Sequence, residues 1–180
     1  MSTNQDIIEF NQLYDTIKNN ITTVIYIGCR EFKHTILLEK DCKFLDNDSR
    51  FEPDILHDLN SSENLPKVAD LIVCSNVLMY ISNAYSALNK MIYVANKYVI
   101  LQEPVIRLRT EVNNKYEDIN RFYCSKFIPN NFDCLKNAEN QYQKNLINIQ
   151  RNSLVWSKYY HSPSPTLPVG TLEGLWLYQK

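Results

Sequence analysis

Glycine is the residue this chain most conspicuously lacks. Only three of its 180 residues are glycine, and Gly28 alone lies before residue 170. A cradle of successive glycine amides around a phosphate therefore cannot be built, which excludes P-loop nucleotide hydrolysis. The same scarcity argues against a GxGxxG dinucleotide fold, since nothing supplies pyrophosphate-binding glycines at a first turn. Five cysteines occur with no CxxC or CxxxC pair, so neither a disulfide framework nor a zinc site is expected and no metal is predicted. No apolar run approaches the ~20 residues that cross a bilayer. The first residues, Met1 to Asp6, lack the basic and apolar regions of a signal peptide. Excess charge is missing too. A formal net charge of −1 supplies no global field for nucleic acid. These absences predict a cytoplasmic protein with free thiols and no membrane association.

What is present is ordinary globular material: 44 % hydrophobic and 22 % charged residues, enough for a real core in one domain spanning residues 1–180. Residues 6–20 carry Ile7, Ile8, Phe10, Leu13, Tyr14 and Ile17 at amphipathic-helix spacing. A strand is predicted at 23–28, a short helix at 31–40 with Phe32, Ile36 and Leu37 inward, and a strand at 42–46. A short strand at 54–58 precedes a loop at 60–66. The run Asp70-Leu71-Ile72-Val73-Cys74-Ser75 is apolar on both faces, as a central parallel strand must be. A helix at 83–96 and a strand at 97–102 follow. Further on, the pattern predicts a helix at 120–127, a strand at 131–137, a helix or loop at 140–151, a loop over 159–170 and a last strand at 172–178. Alternating strands and helices make an α/β three-layer domain with a mostly parallel sheet.

The most informative spacing joins Val24-Ile25-Tyr26-Ile27-Gly28 to Lys43-Phe44-Leu45-Asp46, about 20 residues apart end to end. One strand stops at a glycine and the next at an acid. The glycine lets backbone approach a ligand, and the acid can accept from ribose hydroxyls, so the pair suits an adenosine-bearing cofactor.

From Val24 to Pro104 the pattern resembles the class I S-adenosylmethionine-dependent methyltransferases, in particular their short single-domain members, which have a Rossmann-like fold. Tyr26-Ile27-Gly28-Cys29 looks like that family's first motif. Asp46 falls at its ribose-binding acid, and His57-Asp58-Leu59 looks like the turn that touches adenine. The segment from Ala69 to Ile81 is similar to the fourth-strand signature, with Tyr80 in place of a common His. Gln102-Glu103-Pro104 resembles the end of the fifth strand, and Asn120 to Tyr123 a later Arg-Phe segment. The resemblance implies S-adenosylmethionine as cofactor, held by Gly28, Cys29, Arg30, Asp46, His57, Asp58, Leu59 and Ser75. It implies methyl transfer to a small-molecule or glycan-type acceptor, and no universal catalytic residue.

Two departures stand in the first motif. Arg30 replaces its second glycine and Tyr26 its acid. Arg30 could pair with the cofactor carboxylate, because a guanidinium forks onto carboxylates, or it could fill the pocket. The alternative is therefore a catalytically inactive methyltransferase-like domain that binds or regulates a protein partner. Elsewhere, Asp58 is either an adenine contact or a turn cap. Cys74 reads as a core thiol and His34 as a surface residue, while His57 is a candidate pocket residue. Trp156, Tyr159, Tyr160 and His161 form a packing cluster or a lid over the substrate.

Overall fold

The computed structural model describes residues 4–81, 84–107, 153–162 and 171–180. The expected helix at 120–127, strand at 131–137 and helix or loop at 140–151 lie outside these residues. Seven strands form a single sheet: β1 (Thr23–Ile27), β2 (Asp41–Asp46), β3 (Ile55–Leu56), β4 (Ala69–Ser75), β5 (Ala95–Arg107), β6 (Leu154–Ser162) and β7 (Thr171–Gln179). Their order is β3-β2-β1-β4-β5-β7-β6. The first five are parallel, whereas β7 runs antiparallel to both β5 and β6. Strand order reverses between β1 and β4, and open α/β sheets bind ligands outside the carboxyl ends of the strands at such a reversal.

Every residue of β4 is buried, because helices cover the sheet on both faces. On one face, α2 (Ala84–Val94) presents Ala87, Leu88, Met91 and Ile92 to Ile25, Ile27, Ile72, Val99 and Leu101. On the other, α1 (Asn4–Ile17) presents Phe10, Leu13, Tyr14 and Ile17 to Val24, Tyr26, Leu71, Val73 and Ile100. This gives the three-layer α/β architecture read from the sequence. The buried stripe of α1 also carries two acids, Asp6 and Glu9. Asp6 faces Lys33 at 3.5 Å, with both side chains nearly removed from solvent, and Glu9 pairs with Lys158 of β6 at 2.6 Å. Gln102, buried within β5 opposite the last residue of β4, donates through Nε2 to the Asp6 carbonyl and to Tyr160 Oη. The amino-terminal half of α1 is therefore docked by polar contacts and its other half by apolar ones.

Three expectations are corrected. Residues 31–40 form no α-helix but two 3-10 turns, Cys29–Glu31 and Thr35–Glu39. Phe32 and His34, two residues apart, both pack on Tyr26, and only an extended backbone points residues i and i+2 the same way. His34 is not on the surface: it is fully buried and stacked on Phe10 at 3.7 Å. Burial pushes its imidazole down to about pH 3, with Lys33 adding to the shift, so it is neutral at pH 7. Residues 159–162 belong to β6 rather than a loop, and residues 163–170 lie outside the described ones. Tyr160 turns into the core while Trp156 is partly exposed.

At the foot of the sheet, Asp70 Oδ2 accepts from Thr22 N and Thr22 Oγ1, at 2.9 and 2.6 Å, and its carboxylate faces Lys97. The Thr22 hydroxyl bond is the largest cause that holds this carboxyl down at about 2 rather than 3.8. A depressed folded pKa means stability that is fully present above the unfolded value and lost as pH falls through the folded one. Wild-type stability should drop as pH is lowered from about 4 to about 2, and Asp70→Asn should flatten that drop. Urea midpoints for both proteins across the interval are the measurement.

Candidate cofactor site at the strand reversal

The carboxyl ends of β1 to β4 gather most of the residues singled out from the sequence. Gly28 follows β1 at φ +94°, a left-handed conformation that favours glycine. Its N–H donates to the Leu45 carbonyl of β2 at 2.9 Å, and a Cβ there would overlap Val77 Cγ2. Next to it, Asp46 works as a staple. Oδ2 accepts from Cys29 N at 2.9 Å, Oδ1 accepts from Asp48 N at 3.0 Å, and the Asp46 carbonyl accepts from His57 N at 2.9 Å. One residue thus fixes the turns that leave β1, β2 and β3. Asp46 is only half-buried, and each carboxylate oxygen keeps a second acceptor direction.

The other residues fall around this centre in different ways. Arg30 is exposed, and Tyr80 is 75 % exposed, so neither side chain is packed into the core. Cys29 is half-buried, and burial with the Asp46 charge raises its thiol to about 11, which leaves it protonated at pH 7. His57 is half-buried, and its Nε2 has no hydrogen-bond partner among the described residues. Asp58 is exposed and caps its own turn, accepting from Asn60 N at 2.8 Å. Leu59 is buried in the α2-side core and so serves packing. Ser75, at the end of β4, is buried and donates to Gln102 Oε1 at 3.4 Å, turned toward α1. Tyr26, standing at the position of the family's acid, is sealed among Phe32, Phe44 and His34; burial raises its phenol pKa well above 10.

Two features were not assigned from sequence. Asn76 adopts φ +57°, which swings the chain so that Val77 meets Gly28; an Asn just past a strand end is the available signal, because Asn tolerates this conformation. Glu103, read only as standing at the end of the fifth strand, lies within β5, which runs on to Arg107, and is 1 % exposed. Its Oε1 accepts from Val77 N at 2.9 Å and Leu78 N at 3.0 Å.

No family model and no curated protein matches the sequence. Solved structures do match the fold. The N-methyltransferase NodS from Bradyrhizobium japonicum WM9, in complex with S-adenosyl-L-homocysteine, aligns at TM-score 0.52 and 14 % identity, over 95 % of this chain and 84 % of that one. The methyltransferase domain of bacterial CtHen1-CN aligns at 0.52 and 14 %, over 98 % and 99 %. An S-adenosylmethionine-dependent methyltransferase from Clostridium acetobutylicum ATCC 824 aligns at 0.53 and 10 %, over 97 % and 91 %. The chain has the class I methyltransferase fold. Its Rossmann-like sheet carries the glycine turn on β1, beside the reversal, and the acid at the end of the neighbouring β2.

Two outcomes are expected from this geometry. Gly28→Ala forces a side chain into the left-handed region and against Val77, and should cost about 1–3 kcal/mol in a denaturant melt. Burial, first, and the nearby Glu173 charge push the Glu103 carboxyl from 4.5 up to about 8, opposed by the Val77 and Leu78 amides and by Lys33. Cys74 Sγ lies 3.8 Å from Oε1, and the Tyr26 phenol also feels the Glu103 charge. Between those values the native state keeps a proton that the unfolded chain releases, so this group lowers stability as pH rises from about 4.5 to about 8 and by a constant amount above. Glu103→Gln should lack that contribution, which urea midpoints at about pH 5 and about pH 8.5 would show as a smaller loss than in wild type.

Proposed function

We propose that this chain binds S-adenosylmethionine at the carboxyl ends of β1, β2 and β3 and transfers its methyl group to a small-molecule or glycan-type acceptor. One observation carries the proposal: Asp46 ends β2 half-exposed and is tied to the glycine turn of β1, the strand that borders the reversal of strand order. The residues fit an adenosine group. Asp46 has acceptor directions left for ribose hydroxyls, Gly28 and Cys29 bring backbone close, and His57 Nε2 is an unpartnered polar atom beside the adenine-side turn. Exposed Arg30 is free of the core and can meet a carboxylate, and exposed Asp58 follows the end of β3, while buried Ser75 contributes at the end of β4 through its backbone alone.

Bound S-adenosylmethionine supplies an already activated methyl group on a sulfonium, so the protein's part is alignment and exclusion of water. Asp46 orients the donor through its ribose, and the Gly28 turn with Val77 sets how closely backbone approaches it. Near-zero net charge and the absence of a basic field favour a small acceptor over nucleic acid. The fold's neighbours include an N-methyltransferase and the CurJ carbon methyltransferase, so the atom methylated is set by the acceptor pocket and not by this frame.

A second reading has its own support. The phenol of Tyr26 occupies the position of the family's first-motif acid inside an aromatic cluster, which suits a non-catalytic domain that binds a protein partner. Calorimetry with S-adenosylhomocysteine separates the two. Binding is expected, and no heat and no rise in melting temperature at about millimolar ligand, where even −4 kcal/mol registers, would overturn the enzyme reading and leave the second. Asp46→Asn should weaken binding about tenfold or more through loss of charge-assisted bonds. It should also lower stability by about 1 kcal/mol, because its amide must face either the Cys29 or the Asp48 N–H. Unchanged affinity in that variant removes Asp46 from the site.

A further inference from the structure

We propose that Glu103 is a positioning residue for the cofactor site, clamping the turn after β4 so that Val77 holds the Gly28 turn. The inference rests on the S-adenosylmethionine reading above. It begins from the backbone of the Leu78–Tyr80 turn, whose first amides have no intrahelical partner and are partly buried at Val77 and buried at Leu78. The Oε1 atom of Glu103 takes two of these amides at once, Val77 N and Leu78 N. The adjoining N–H, on Asn76, is taken by the Gln102 carbonyl at 2.9 Å. Three consecutive amides are therefore fixed by two consecutive residues of β5.

The clamp reaches the site because of what Val77 does next. Its Cγ2 occupies the space a Gly28 side chain would need. Gly28 in turn precedes Cys29, whose N–H is held by Asp46. A continuous set of contacts thus runs from β5 through the β4 turn to the residues proposed to hold ribose. Glu103 itself is buried away from solvent, and its Oε2 has no hydrogen-bond partner among the described residues. It acts through Val77 and not by touching the cofactor. Sequence alone shows only an acid after Gln102; the three-amide arrangement is visible only in the fold.

The test compares Glu103→Gln, Glu103→Ala and Val77→Ala with wild type, reading the S-adenosylhomocysteine dissociation constant well below each melting temperature. Glu103→Ala strands two buried amides and should raise the constant about tenfold or more, while Glu103→Gln keeps an acceptor oxygen and should restore it to within about threefold. Val77→Ala, which leaves the carboxyl in place, should weaken binding in the same direction. Amide hydrogen exchange supplies a readout independent of ligand: protection at Val77, Leu78 and Cys29 should fall in Glu103→Ala and recover in Glu103→Gln. Should Glu103→Ala fail to fold, the Gln and Val77 variants still carry the comparison. Wild-type binding with equal affinity in Val77→Ala overturns the positioning role, as does Cys29 protection that ignores a loosened Val77. If wild type binds no ligand while Cys29 protection follows Glu103, the cofactor reading falls and the clamp stands.

Discussion

The staple made by Asp46 is the contact on which the rest of the site depends. Its two carboxylate oxygens and its carbonyl together hold the chain as it leaves β1, β2 and β3. Parallel strands impose this need. Each must be left by a turn at the same end of the sheet, and those turns carry backbone amides that the ladder does not pair. A charged acceptor satisfies them more strongly than a neutral one. The same carboxylate is then the group best placed to accept from a ligand. On the cofactor reading, structural and functional demands therefore fall on one side chain.

Across the reversal, β4 and β5 meet the same need differently. The amides after β4 are taken by Gln102 and Glu103, both fully inside. Gln102 also carries the docking of α1 through its side chain. Consecutive residues of a strand point to opposite faces. Gln102 therefore serves the α1 side and Glu103 the α2 side of β5, at the level where its pairing with β4 ends. The polar stripe of α1, Asp6 and Glu9 against Lys33 and Lys158, continues this pattern. Asp6, Glu9 and Gln102 each have a polar partner at this end of α1, while its opposite half relies on Phe10, Leu13, Tyr14 and Ile17.

Much of this was legible in the sequence, and the reasons are specific. β4 announced itself because burial on both faces leaves seven residues with almost no choice but apolar ones. Gly28 and Asp46 were legible because a positive φ and a strand-end acid each demand a particular residue type. The 29–40 segment was not, because Phe32, Ile36 and Leu37 sit at helical spacing while Phe32 and His34 sit at extended spacing, and packing on Tyr26 chose the second. β6 was hidden by polar residues interleaved with aromatics, although Val155, Trp156, Tyr159 and Tyr160 are residues that favour strands. Most hidden of all was His34, a polar residue whose burial against Phe10 depends on a helix remote in sequence.

The scarcity of glycine takes its meaning from the same geometry. A second glycine in the first motif would matter if the backbone after Gly28 also entered the left-handed region or ran against a neighbour. Here the chain enters a 3-10 turn at Cys29–Glu31, and Arg30 carries its side chain out to solvent. Gly28 alone holds the positive φ in that turn, with Val77 filling the space its missing Cβ leaves. Tyr26 likewise replaces an acid without leaving a stranded charge, since its ring adds to the packing of Phe32 and Phe44. The departures in the first motif are thus compatible with the fold on physical grounds. What they alter is the chemistry offered beside Gly28: a carboxylate gives way to a buried phenol at Tyr26, and an exposed guanidinium stands at Arg30 where a glycine would offer none, a group that on the cofactor reading suits an anionic end of the ligand.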